Sequence, residues 1–202
     1  MKEIAVFNLG ISNLTSVVNV LDYLDAKYYL VNKVEDLKDV KKMILPGVGT
    51  FSAGMSALVN KNFADEIRKQ VIENKIPIFG ICLGMQLLFE SSEESVGVKG
   101  LGLIEGSIEK IPLSRHYKIP RIGWGESEVK KDFLSLKKGA KVDFYYVHSY
   151  HANPKDKNVV AITAQDDTIV SAVSIENIFG CQFHPEKSYI DGIEIMKNFI
   201  EI

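Results

Sequence analysis

The stretch that decides the fold runs from Pro77 to Leu88 and has the sequence Pro-Ile-Phe-Gly-Ile-Cys-Leu-Gly-Met-Gln-Leu-Leu. Residues 77–81 are uniformly apolar, which is typical of a central strand covered on both faces of a parallel sheet. Residues 85–88 favour a helix. A buried strand that leads directly into a helix is the repeating unit of α/β proteins, so this stretch predicts that fold class.

The residues before this stretch alternate in the same way. Three further strands are predicted, at residues 4–7, 28–31 and 43–45. A first helix follows from apolar side chains at helical spacing, namely Leu14, Val17, Val18, Leu21 and Leu24. Two more helices are predicted at residues 51–58 and after Asn62, which we expect to cap the second of them.

Beyond Ser91 glycines punctuate short strand candidates, which predicts antiparallel pairing. These candidates are residues 107–111, 142–147, 159–164 and 169–175. A buried-type strand at 178–183 precedes a closing amphipathic helix, marked by Ile190, Ile193, Met196 and Ile200. We therefore expect a single α/β domain over residues 1–202, with a mostly parallel central sheet, flanking helices and an additional antiparallel strand region.

Composition excludes several classes of function. The net charge of -2 leaves no positive field for nucleic acid, and no apolar run reaches the roughly 20 residues of a membrane span. No glycine pattern matches a phosphate or dinucleotide loop, and no histidine has metal-ligand spacing, so we expect no cofactor and no metal. The N-terminus predicts a strand and not a signal peptide. Two cysteines give no disulfide framework, which favours a cytoplasmic protein.

Cys82 is the candidate nucleophile. It stands where the buried strand gives way to the helix, with Gly80 and Gly84 two residues on either side. A nucleophile at such a turn occupies a cramped backbone conformation that tolerates only small neighbours. The helix N-terminus favours a thiolate. The alternative is a buried structural thiol between glycines.

A general base is predicted at the end of the last strand. His184 and Glu186 flank Pro185 in the string Gln182-Phe183-His184-Pro185-Glu186. Residues at i and i+2 of an extended chain point the same way, so Glu186 can orient the imidazole toward Cys82. The alternative is a strand end without catalytic meaning.

An oxyanion hole is predicted at the turn after the third strand, Pro46-Gly47-Val48-Gly49. Turns at that edge of a parallel sheet place amides over the site. We expect the backbone of Val48 and Gly49, together with the Leu83 amide, to stabilise an oxyanion.

Together these residues resemble the class I, or triad-type, glutamine amidotransferases, and most closely the glutaminase subunits of imidazole glycerol phosphate synthases. The resemblance spans the chain from Ile4 to the closing helix. It is carried by segments in family order at residues 46–51, 80–89, 123–124, 147–150 and 182–188.

The resemblance implies a Cys82, His184 and Glu186 triad that hydrolyses L-glutamine through a thioester. It places further residues around the amino-acid end of glutamine, namely Gln86, Glu94, Ser149 and Tyr150. It also implies a heterodimer with a synthase subunit, a (β/α)8 cyclase barrel that receives the ammonia. Toward this partner it places Asn13, Trp124 and Lys187.

Some positions depart from the family pattern. The chain has Asn8-Leu9-Gly10 where Asp-Tyr-Gly is usual, Thr15 where Arg is usual, and Pro120-Arg121-Ile122-Gly123-Trp124-Gly125 where Pro-His-Met-Gly-Trp-Asn is usual. The departures avoid the triad and gather where the synthase is expected to dock. Histidine biosynthesis and a paralogous role with a sugar amidotransferase of surface-glycan synthesis both remain open, as do a stand-alone cysteine hydrolase and a non-catalytic subunit.

Overall fold

The computed structural model describes residues 4–113, 118–157, 160–164 and 169–202. Its strands are β1 (Ile4–Phe7), β2 (Tyr28–Val31), β3 (Lys42–Gly47), β4 (Ile78–Cys82), β5 (Phe89–Ser92), β6 (Ile104–Lys110), β7 (Arg121–Val129), β8 (Lys141–His148), β9 (Tyr150–Pro154), β10 (Val160–Ala164), β11 (Ile169–Ile175) and β12 (Ile178–Cys181). Its α-helices are α1 (Leu14–Tyr23), α2 (Phe51–Asn60), α3 (Phe63–Ile72), α4 (Leu83–Leu87) and α5 (Tyr189–Glu201).

The strands form one continuous sheet. Its main path runs β2-β1-β3-β4-β12-β11-β10-β7-β8, and β9 links β11 to the β6 and β5 branch. From β2 to β12 each strand of this path is parallel to its neighbour. From β12 to β8 each strand is antiparallel to the next. The predicted class, an α/β fold with flanking helices and an antiparallel extension, is confirmed.

Both faces of β1 are buried. Ala5 and Phe7 belong to the cluster that holds the apolar side chains of α2 and α3. Ile4 and Val6 point to the opposite face, into the cluster that contains α1 and α5. Because neither face of β1 meets water, its sequence is apolar without alternation.

Several elements differ from the sequence-based expectations. Strands β5, β7 and β9 were not predicted, because the glycines and charges of β7 and the short lengths of β5 and β9 hide their period of two. The expected cap by Asn62 is wrong: this residue precedes α3 with φ 58° and its side chain makes no capping hydrogen bond. The last parallel strand ends at Cys181, two residues earlier than expected. Residue 159 of the expected strand 159–164 lies outside the described residues.

The closing helix places three of its four predicted markers toward the core: Met196 is buried, and Ile193 and Ile200 pack partly buried against the same apolar cluster. The buried residues of this helix are Gly192, Ile195, Met196 and Phe199. Ile190, which we expected to face the core, is 64% exposed. No helix in the described part of the chain is long and apolar enough to cross a membrane.

Candidate active site

The strand-to-helix turn at Cys82 has the cramped geometry that its glycines predict. Cys82 ends β4 with φ 54° and ψ −111°, a conformation rare for an L-residue with a side chain. A Cβ atom at Gly84 would lie 1.7 Å from the Leu45 carbonyl oxygen, and one at Gly80 would lie 2.7 Å from the Gly84 backbone. Neither position can accept a larger residue without moving the backbone.

His184 and Glu186 lie beside Cys82 because their strands are neighbours. β12 pairs parallel with β4, with Cys181 opposite Ile81, so the carboxyl ends of the two strands meet. The His184 Nδ1 and Glu186 Oε1 atoms are 2.8 Å apart, and both side chains are buried. Since a carboxylate only accepts, Nδ1 carries the proton, and Nε2 is left for proton exchange with the Cys82 thiol.

The surroundings of His184 favour its charged form. Burial is the largest single influence and opposes the positive charge. The hydrogen bonds and negative charges of Cys82 and Glu186 together outweigh burial and raise the pKa of His184 to about 10. An imidazolium between a sulfur and a carboxylate is the acid that can protonate a leaving amine.

The backbone of His184 is fixed to β8. Its N–H donates to the Tyr145 carbonyl at 2.9 Å, and its carbonyl accepts from the Ser188 hydroxyl at 2.7 Å. The Ser188 oxygen in turn accepts from the Tyr145 N–H at 3.1 Å. Ser188 is buried, and no local pattern in the sequence distinguishes it from an ordinary helix-capping serine.

A cavity of about 260 Å³ opens above Cys82. All residues predicted for catalysis, oxyanion stabilisation or substrate binding line this cavity, apart from Glu186, which lies behind His184. The lining residues are Val48, Gly49, Cys82, Leu83, Gln86, Glu94, Ser149, Tyr150 and His184. Four further lining residues were not predicted: Pro120, Ile122, Val147 and His148. They come from β7, β8 and the segment before β7, which have long-range partners that local patterns do not reveal.

Glu94 and Gln86 are held in place by their own hydrogen bonds. The Glu94 carboxylate accepts from the Phe51 N–H at the start of α2, at 2.7 Å. The Gln86 side-chain amide donates to the Gln182 oxygen at 2.9 Å and to the Tyr150 carbonyl at 3.4 Å. The cavity therefore has a fixed carboxylate and a fixed amide on one side, which suit the charged end of an amino acid.

The oxyanion hole is incomplete in this arrangement. The Val48 N–H, expected to point at the oxyanion, donates instead to the Ile11 carbonyl at 2.8 Å. Gly49 adopts φ +104°, and a Cβ there would meet nothing within 4 Å. Leu83 is the first residue of α4, where backbone N–H groups have no intrahelical acceptor. Val48 becomes a donor to substrate only if its peptide turns away from Ile11.

His148 is a buried neutral histidine in the cavity wall. Its Nδ1 donates to the Tyr150 carbonyl at 2.9 Å. Desolvation is the largest influence and lowers the pKa of His148 to about 3, helped by the charges of Arg121 and other nearby groups against the hydrogen bond to Tyr150. It stays uncharged at neutral pH.

The residues expected to face a partner lie outside the cavity. Trp124 is 46% exposed and stacks on Tyr189, with ring centroids 4.6 Å apart. The Lys187 ammonium lies 5.8 Å from the centroid of the Tyr145 ring, and Trp124 contacts the same ring edge-on. Asn13 immediately precedes α1, which contacts the turn that contains Lys187.

Among the residues that the structure describes, no group of three His, Cys, Asp or Glu side chains is arranged to hold a metal ion.

The sequence that places this cysteine, histidine and glutamate together matches a known protein family. The family model described as "Glutamine amidotransferase class-I" covers residues 5–202, and the chain belongs to that family. It is 43% identical to the imidazole glycerol phosphate synthase subunit HisH of Pyrococcus furiosus, over 98% of each chain. It is 38% identical to the HisH subunit of Methanocaldococcus jannaschii, over 98% of this chain and 99% of the relative.

Solved structures share the fold. One described as a glutamine amidotransferase has a TM-score of 0.79 at 21% identity, over 98% of this chain and 97% of the other. PurLQS from Thermotoga maritima contains a chain with a TM-score of 0.75 at 23% identity, covering 100% and 99%. At these identities the likeness concerns the fold alone.

Proposed function

We propose that this chain is the glutaminase subunit of an imidazole glycerol phosphate synthase, acting as one domain over residues 1–202. It hydrolyses L-glutamine to glutamate and ammonia and delivers the ammonia to a synthase subunit. The observation that carries the chemistry is the 2.8 Å bond between His184 and Glu186 beside the strained Cys82. The identity to HisH subunits over almost the full length of both chains supports the pathway.

The reaction proceeds in two halves. The Cys82 thiolate attacks the side-chain amide carbon of glutamine, and His184 protonates the departing nitrogen, which leaves as ammonia. A water molecule then attacks the thioester, His184 takes its proton, and glutamate is released. Glu186 holds the imidazole in the required tautomer throughout. Leu83, Gly49 and a turned Val48 peptide stabilise the two tetrahedral oxyanions.

The partner is a (β/α)8 cyclase, bound as a heterodimer at the mouth of the cavity. Val48, Ile122 and Val147 line the cavity and are exposed. The exposed Trp124 lies two residues beyond Ile122 on β7 and stacks on Tyr189, so these side chains extend the apolar surface from the cavity. A patch of this kind marks an interaction surface. Ammonia released into bulk water would be protonated and diluted, so the face where the cavity opens is where the acceptor must bind. Two buried free thiols, Cys82 and Cys181, fit a reducing cytoplasm.

The experiment that tests the division of labour uses the complex purified with its partner. Cys82→Ala should abolish glutamine-dependent synthesis but leave synthesis from added ammonium salt intact, because the substitution removes only the nucleophile. Loss of both activities would contradict the proposal. Release of ammonia at full rate by the isolated wild-type chain would favour a stand-alone hydrolase.

The acceptor is tested in the same complex. We expect the cyclase's own phosphorylated acceptor to stimulate glutamine hydrolysis. Mass spectrometry of material captured from native cells should recover a barrel subunit with the chain. Recovery of an ATP-using sugar amidotransferase would move the chain to glycan synthesis and leave its chemistry unchanged. The departures at Arg121 and Gly125 lie on the face of β7 opposite Trp124, because Arg121 is buried 3.6 Å from the centre of the Tyr146 ring and Gly125 lies against its guanidinium. The expectation that these two departures gather where the synthase docks is therefore wrong.

A further inference from the structure

Gln182 is a buried polar side chain that contacts the nucleophile. It is 0% exposed and follows β12, two residues before His184. Its side-chain nitrogen lies 3.6 Å from the Cys82 sulfur, within hydrogen-bonding range for sulfur. The triad mechanism gives this contact no role. A buried amide that points at a reacting atom calls for an explanation in terms of that atom.

The orientation of the Gln182 amide is set by a chain of hydrogen bonds in which donors and acceptors can be assigned in only one way. The Tyr150 carbonyl can only accept, and it receives the His148 Nδ1–H at 2.9 Å and the Gln86 side-chain N–H at 3.4 Å. The NH₂ group of Gln86 is thereby fixed, and it also donates to the Gln182 oxygen at 2.9 Å. The Gln182 oxygen is occupied, so its NH₂ group faces the sulfur.

We propose that Gln182 is a further catalytic residue, whose side-chain amide donates a hydrogen bond to the Cys82 sulfur and stabilises its thiolate form. The inference rests on the proposed role of Cys82 as nucleophile. Gln86, Tyr150 and His148 act as positioning residues, because they reach the sulfur only through Gln182.

The chemistry favours a glutamine at this position. A hydrogen bond to a charged acceptor is stronger than one to a neutral thiol, so the donor stabilises the thiolate selectively. An amide has no proton to lose near neutral pH, so Gln182 cannot compete with His184 as the acid. When the sulfur becomes part of a neutral thioester the bond weakens, and it strengthens again as the thiolate departs in the second half of the reaction.

The test follows alkylation of Cys82 by iodoacetamide across pH, with the labelled residue identified by mass spectrometry. Gln182→Met keeps the length of the side chain and removes the donor. We expect alkylation at pH 7 to slow about 10-fold, and the pH of half-maximal rate to rise by about one unit. The kcat/KM for glutamine in the partner complex should fall about 10- to 100-fold. Gln182→Glu, which presents an acceptor to the sulfur, should be slower still.

Ile178→Ala is the matched control, because it truncates a buried side chain at the other end of β12 without contacting the sulfur. It should lower the melting temperature and leave the alkylation profile in place. If Gln182→Met does not fold, Gln182→Asn keeps a buried amide but withdraws it by one methylene, and should shift the profile in the same direction.

An unchanged profile in the folded Gln182 variants would overturn the inference while leaving the triad intact. Absence of labelling at Cys82 in the wild type would instead overturn the assignment of the nucleophile. The two failures are therefore distinguishable in one experiment.

Discussion

The pKa values of two histidines in the same cavity wall are shifted in opposite directions. The pKa of His184 is raised from 6.5 to about 10, so the stability that it contributes is complete below about pH 6.5 and is lost as pH rises to about 10. The pKa of His148 is lowered to about 3, so the unfolded chain binds the extra proton between pH 6.5 and 3, and stability is lost as pH falls through that window. Both contributions are greatest together near pH 6.5.

Acid sensitivity should therefore depend on His148. By pH 4.5 we expect it to account for about 3 kcal/mol of lost unfolding free energy, since two units of pH separate that value from its unfolded pKa. His148→Asn retains a donor toward the Tyr150 carbonyl but cannot be protonated. Urea unfolding at pH 7 and pH 4.5 should show a smaller acid loss for this variant; an equal loss would contradict the assignment.

Glu186→Gln should act through His184. The neutral amide removes the charge that helps to raise the pKa of His184, so this pKa should fall, and kcat should drop about 10²- to 10⁴-fold with little change in KM. A histidine titration by nuclear magnetic resonance and steady-state glutaminase rates in the complex measure the two effects. A fall in kcat with an unmoved His184 pKa would mean that Glu186 acts in some other way.

At the scale of elements, local patterns predicted the strands of the parallel half and, beyond them, β6, β8, β10 and β11, but not β5, β7 or β9. The apolar runs of β1 and β4 are visible in the sequence because both of their faces are buried. In β7 a glycine or a charge occupies most positions, and the strand exists because of its long register with β8, from Arg121 opposite His148 to Glu128 opposite Lys141. Such pairing over a distance leaves no local signature.

Helix α5 was predicted with most of its core-facing residues correct, and Ile190 is the predicted marker that the structure exposes. Ile190 and Ile195 differ in exposure, at 64% and 0%. Ile195→Ala should cost about 2 to 5 kcal/mol of unfolding free energy, because it leaves a cavity against the sheet. Ile190→Ala should change stability by less than about 0.5 kcal/mol. Chemical denaturation of the isolated chain compares them, and equal losses would contradict this face.

The elbow between β4 and α4 should tolerate no added carbon. Gly84→Ala places a methyl group against the Leu45 carbonyl, where only the backbone can yield, and should cost about 3 kcal/mol or more. Gly54→Ala is the control, since its Cβ meets only the flexible ends of the Leu87 and Leu83 side chains, at 2.9 Å and 3.2 Å. Its effect should stay within about 1 kcal/mol. Thermal unfolding of both variants provides the comparison.

At the scale of the whole molecule, the candidate site lies across the seam between the two halves of the sheet. Cys82 and the turn at Val48 come from the parallel half, whereas His148 and Tyr150 come from the antiparallel half. Local patterns could single out Cys82, His184 and Glu186 as candidates because Cys82 ends β4 and the other two residues closely follow β12. They could not predict Gln182 or Ser188 as site residues, because the roles of these two residues depend on which side chains the sheet brings beside them.

The aromatic face at the cavity mouth should carry partner affinity. Trp124→Ala removes a half-exposed ring stacked on Tyr189, and should raise the dissociation constant of the complex about 30-fold, as for a central aromatic anchor. Tyr23→Ala is the control, since this ring is 73% exposed at the far end of α1. Titration calorimetry with the purified partner measures both, and an unchanged constant for Trp124→Ala would exclude this face.

The hydrogen bond from the Val48 N–H to the Ile11 carbonyl bears on how much glutamine the cell consumes. On the proposed function, we expect a chain that rests with one of its oxyanion donors turned inward to consume little glutamine until a partner binds. Synthesis of the two subunits in unequal amounts then does no harm, because the surplus copies neither drain the nitrogen pool nor release ammonia where nothing can use it.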